Sequence, residues 1–169
     1  MVKVNVCGDC FSSTGYSSHT QGLSRALLRL NPEGVGVETL LPQNWEYKAD
    51  SDLRKLITND CRKGWNIMIT HPNSAILKTG SVNQGVIPYC VFEGDKIPAG
   101  WVECLNDERF RCVFTPSEHT KKAMINSGVT NVIHVIPHGH NPEDYHPDSS
   151  LRVEGFGERF VFLFVGGWA

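Results

Sequence analysis

The chain is expected to fold as an α/β domain built on a doubly wound parallel sheet, and three observations support this. Short apolar runs suited to buried strands alternate with amphipathic segments. The stretch from Arg111 to Pro147 reads strand, helix, strand with no hairpin turn, which is a parallel crossover unit. The 169 residues, 40% hydrophobic and 20% charged, amount to about one globular domain with a proper core.

Val2 to Cys7 is the first expected strand, followed by a Gly/Ser-rich loop from Gly8 to Tyr16. A helix over Ser17 to Leu30 would bury Leu23, Ala26, Leu27 and Leu30, with Ser18 and Gln21 as a capping box and Asn31-Pro32 as its stop. Val35 to Leu41 is a second strand, and Asp50 to Lys63 a helix burying Leu53, Leu56, Ile57 and Cys61. A third strand, Asn66 to Thr70, ends at His71-Pro72. A helical or irregular link covers Ser74 to Asn83, and Val86 to Phe92 is a fourth strand. Ile97-Pro98 opens a short helix carrying Trp101, Val102 and Leu105. After the strand at Cys112-Val113-Phe114, Thr115-Pro116-Ser117-Glu118 reads as a helix start with threonine as cap, and Gly128 as the stop. Val132 to Ile136 is the last strand of this set.

Composition removes several classes of function. A net charge of -2 argues against a nucleic-acid partner, which would usually need a basic face to neutralise phosphates. The apolar start, Val2 to Val6, is too short for a secretory signal, and no apolar run approaches the roughly 20 residues that span a bilayer. The six cysteines read as reduced thiols used as small hydrophobes, which suggests a cytoplasmic protein. Cys7-Gly-Asp-Cys10 straddles a strand end rather than a helix start, and no second Cys-x-x-Cys completes a zinc site.

Chemistry-bearing residues gather where strands end. The loop Gly8 to Gly15 joins a strand to a helix start, where exposed amides favour an anion, yet it matches neither a Walker loop nor the dinucleotide fingerprint. The plainer reading is a tight turn. His71 ends a strand and so points toward the crevice of such a sheet, or simply caps the strand edge. Glu93 also follows a strand and either contacts a ligand or holds its loop through backbone amides. Asp95 is a weak partner for a glycosidase-like carboxylate pair, because such pairs usually come from separate elements. His134, His138, His140 and His146 are dense enough to raise a zinc site, with His138 and His140 alternating along extended chain. Arg54, Lys55, Arg62 and Lys63, with Trp65 beyond, raise a peripheral membrane contact, but Asp50, Asp52 and Asp60 interleave and favour a solvated face.

The order "apolar strand, P-S, amphipathic helix, G-V, strand, I-P-H-G" over Arg111 to Pro147 resembles retaining glycosyltransferases of family 4, two-domain enzymes of the GT-B type. Val2 to Pro147 then corresponds to their first, Rossmann-like, acceptor-side domain. Residues 148–158 would be the interdomain linker, and 159–169 the first strand of a nucleotide-sugar-binding domain. The resemblance implies transfer of a sugar from a nucleotide diphosphate sugar to an acceptor, with retention and with no cofactor or essential metal. Donor and acceptor are thus the expected small-molecule partners. It implies that His71 hydrogen-bonds the transferred sugar as the catalytic-site histidine. It also implies that Gly15, Tyr16, Ser17 and Ser18 line the cleft, and that Glu93, His138 and Gly139 belong to the substrate-binding set. Phe92-Glu93-Gly94-Asp95 resembles the family's W/F-E-x-D segment, whereas His140-Asn141 departs from its pattern. The alternatives are a stand-alone binding module of flavodoxin-like shape and another GT-B enzyme, such as a nucleotide-sugar epimerase. The apolar run Arg159 to Val165 is also expected to add onto a sheet or to mediate a dimer.

Overall fold

Five-residue and shorter strands of β-branched and small residues, each followed by a helix or a turn, build a six-stranded, wholly parallel sheet in the computed structural model. Residues 2–12, 14–40, 51–57, 59–72, 85–142, 147, 155, 157 and 162 are described. The expected Ser74–Asn83 link, the Arg159–Val165 strand and His146 lie outside them, apart from Phe162, which is exposed. Two compact units divide the chain, residues 1–139 and 140–169. The described residues of the second include Gly155 and Gly157, both at positive φ.

In the first unit the order of elements is β1 (Val4–Gly8), α1 (Gly15–Leu30), β2 (Val35–Thr39), α2 (Ser51–Ile57), β3 (Trp65–Ile69), β4 (Val86–Tyr89), α3 (Ala99–Leu105), β5 (Val113–Thr115), α4 (Glu118–Ser127) and β6 (Ile133–Val135). The sheet runs β2-β1-β3-β4-β5-β6. Val4 pairs with Val35 on one side and with Trp65 on the other, so the chain's first strand is an interior one. Because side chains alternate across a strand, Val6 and Cys7 enter different layers. Val6, Ile67, Ile69 and Tyr89 pack with Tyr16, Leu23 and Leu27 of α1. Cys7, Met68 and Val86 pack with Cys104 of α3 on the other face. The sheet is therefore doubly wound. Its order reverses between β1 and β3, which opens a crevice beyond their carboxyl ends.

One layer carries a polar seam. The Asn5 side chain donates to Asn66 Oδ1 at 3.0 Å and to Glu38 Oε2 at 3.2 Å, and Asn66 donates to the carbonyls of Arg62 and Gly64. Both asparagines are almost wholly buried, and each unmade bond there would cost about 1–3 kcal/mol, so the seam sets which strands are neighbours.

Two helices differ from the sequence expectation in an instructive way. α1 buries Ser17, Thr20, Gln21 and Ser24, while Ala26 and Leu30 are exposed. At Thr20 the helix approaches β1 closely, since a Cβ at Gly8 would stand 2.5 Å from Thr20 Oγ1. The cap of α1 is Thr14, accepting from the Ser17 amide, and not Ser18; Gln21 instead donates to the Cys10 carbonyl and Ser17 Oγ. The cap of α4 is Ser117, which accepts from the Thr120 amide, and not Thr115. Thr115 is committed to β5, where its carbonyl accepts from the Ile136 amide. Gly128 ends α4 at φ 104°, as expected of a glycine stop. α2 ends at Ile57, and Cys61 is buried in the turn beyond it.

Candidate functional site

The carboxyl ends of β1, β3 and β4, the first turns of α1 and the segment after β6 bring together a cluster of aromatic side chains. Tyr16 projects from α1 and its hydroxyl lies 3.2 Å from His71 Nδ1. The rings stand 4.8 Å apart, and Trp101 of α3 flanks His71 at 5.4 Å, with Phe92 beyond it at 5.5 Å. His71 itself is exposed. Burial, with Cys90 and Glu93 nearby, pushes the Tyr16 phenol up to about 12, so it keeps its proton. Either group can donate in this contact; in the arrangement where the phenol donates to Nδ1, the neutral ring carries its hydrogen on Nε2 and offers that N–H to an incoming oxygen.

A second group adjoins the first along α1, since residues 16 and 19 share a helix face. His19 meets Tyr89 edge-on at 4.4 Å, and His138 at 4.1 Å. Tyr89 donates its hydroxyl to the Ile136 carbonyl, which ties the segment before His138 across to β4. Burial, then the neighbouring His138, lowers the His19 pKa from 6.5 to about 4, and burial lowers His138 as well. His19 Nδ1 is buried and has no hydrogen-bond partner. At neutral pH His19 and His138 are therefore uncharged.

Among its described residues, the Gly8–Gly15 loop has a carboxylate folded into it. Asp9 turns its carboxylate back into the loop, accepting from the Phe11 amide at 3.2 Å, from Thr14 Oγ1 at 2.9 Å and from Ser12 Oγ. At the helix start Thr14 Oγ1 accepts from the Ser17 amide while donating to the Asp9 carboxylate. Ser17 is buried and braces the loop, its Oγ accepting from the Ser12 amide, whereas Gly15 and Ser18 are exposed. A Cβ at Gly15 or Gly139 would meet no atom within 4 Å, so the packing does not demand glycine at either position.

Glu93 is exposed, and its field helps to raise the Tyr16 phenol. Among the described residues its carboxylate accepts no backbone amide; the loop is held through the Phe92 carbonyl, which accepts from Thr120 Oγ1 at 2.9 Å. Asp95 is exposed, His134 meets Phe114 edge-on at 6.1 Å, and His140 belongs to the second unit. No group of three His, Cys, Asp or Glu among the described residues is placed to hold a metal ion. Burial pushes the Cys7 thiol far up and the Cys10 thiol to about 12, so neither ionises near neutral pH and both serve as core. No described helix is long and apolar enough to cross a membrane.

His19, Tyr89 and Trp101 are the members that sequence reasoning missed as site residues. The signal for His19 was its spacing of three from Tyr16, which any helix places on one face. No family model, curated protein or solved structure matches the chain.

Proposed function

We propose that the chain is the acceptor-side domain of a retaining, family 4-like glycosyltransferase of GT-B architecture, acting on a nucleotide diphosphate sugar and an acceptor hydroxyl. The observation that carries this reading is the Tyr16–His71 pair at the sheet's switch point, with the phenol 3.2 Å from Nδ1 and the Trp101 ring beside the imidazole. In the proposed mechanism His71 donates to a hydroxyl of the transferred sugar, and Trp101 gives its ring an apolar wall. Glu93 and the His138-Gly139 backbone border the acceptor. The leaving diphosphate accepts the acceptor's proton, and the nucleotide is held by a second domain beginning at residues 159–169. The self-satisfied Asp9 loop suits an acceptor's hydroxyls better than a diphosphate. A cytoplasmic location belongs to the same reading.

The test uses an enzyme that carries this domain. His71→Ala should lower turnover roughly ten- to a hundredfold, the equivalent of about 1.5–3 kcal/mol for one charged or strong hydrogen bond, with an unchanged melt. Wild-type turnover in that variant would remove His71 from the chemistry.

A second reading is favoured by the strand order. A β2-β1-β3-β4-β5 run is the flavodoxin-type arrangement, which binds its ligand at the β1/β3 switch point in a single domain. Tight binding of a small planar ligand by this chain alone, lost on Tyr16→Ala, would favour that module over the transferase.

A further inference from the structure

At the opposite end of the sheet, the amino ends of β1, β3 and β4 surround a cavity of about 350 Å³. Lys3, Lys63 and Arg111 line it together with Trp65, and no carboxylate does. The carboxylate of Asp60, which feels the charge of Lys3, is already bonded to Arg62 at 3.1 Å. Among the described residues, no side-chain hydrogen bond or ion pair engages Lys63 or Arg111. The walls are built into the fold. A Cβ at Gly64 would stand 2.1 Å from the Lys3 carbonyl oxygen. A Cβ at Gly85, whose φ is +66°, would stand 2.8 Å from the Trp65 ring. The indole therefore lies against the Gly85 backbone, and 45% of Trp65 is exposed.

We infer that this cavity is a second binding site, for a small phosphorylated compound bearing a planar ring. Three cations with no carboxylate among them attract an anion, and the guanidinium of Arg111 offers a fork of donors matched to phosphate oxygens. The indole supplies a stacking platform for a ring, and the volume falls in the range of small-molecule sites. The site stands at the amino ends of the strands, away from the His71 crevice, and does not depend on the sugar-transfer reading.

Calorimetric titration of the chain with adenosine 5′-monophosphate, adenosine and inorganic phosphate tests this. The nucleotide should bind, with adenosine and inorganic phosphate each weaker by about tenfold or more, because each lacks one of the two recognised groups. Arg111→Gln and Lys63→Gln should each weaken the nucleotide by about tenfold while their exposed positions leave the melt unchanged. His71→Ala should leave that binding as it is. Absence of nucleotide binding, or binding that falls with His71→Ala and not with Arg111→Gln, overturns the inference. So does Arg111-dependent attachment to phosphatidylserine-containing vesicles by a chain that ignores the nucleotide, which would make the patch a membrane surface.

Discussion

His19 stays neutral because two rings and the body of α1 keep water from it. Its pKa falls from 6.5 to about 4 on folding, so between those values the unfolded chain binds a proton that the folded chain does not. Stability is therefore full above about pH 6.5 and declines as pH falls toward 4; His138 adds in the same direction. Asp60 and Asp107, held below the usual carboxylate range by Arg62 and Arg109, lose their share only at lower pH. The melting temperature should drop on acidification through this window, and His19→Phe, which keeps the edge-on contact with Tyr89, should flatten the drop. An unchanged slope in His19→Phe would assign the acid sensitivity elsewhere. Sequence reasoning singled out His71 because it ends a strand, and His138 because it stands in a dense histidine cluster and in the family-like Ile136–Gly139 segment. It passed over His19 because the period of Leu23 and Leu27 had claimed the helix face for core, and only the tertiary packing shows that the first turn faces a crevice instead.

At the scale of elements, α4 shows where a local motif stops being decisive. Thr115 and Ser117 are both good caps by type, and proline between them suits a first turn under either choice. The sheet decides, because Thr115 is the last residue of β5 and pairs with Val135. Its hydroxyl is buried with no partner, whereas Ser117 Oγ accepts from the Thr120 amide. The two positions should respond in opposite ways to chemical denaturation. Ser117→Ala should cost about 1 kcal/mol for the lost cap. Thr115→Val, which replaces an unsatisfied hydroxyl by a methyl of the same shape, should be neutral or stabilising. A costly Thr115→Val would mean that its hydroxyl has a partner in solution. The glycine stop at Gly128, by contrast, was legible in sequence, since no other element competes for that turn.

For the whole molecule, strand–helix alternation was enough to foresee a doubly wound parallel sheet, because each apolar run has few other ways to be covered on both faces. The order of strands was not foreseen. It depends on long-range pairing such as the Asn5–Asn66 bond, which no periodicity within one segment records. That order has a consequence for the chain as it is synthesised. The first strand to emerge is an interior one, and its second neighbour, beginning at Trp65, comes only after β2 and α2 have been made. Until then the nascent chain holds a lone pair of parallel strands, which is too little to be stable in water, with one apolar edge open. A fragment ending at Asp60 should therefore show no cooperative melt, while one ending at Pro142 should; a cooperative melt from the shorter piece would refute this. Growth of the sheet is gated by delivery of β3, so the interval between the first and third strands leaving the ribosome is when this protein most needs a chaperone.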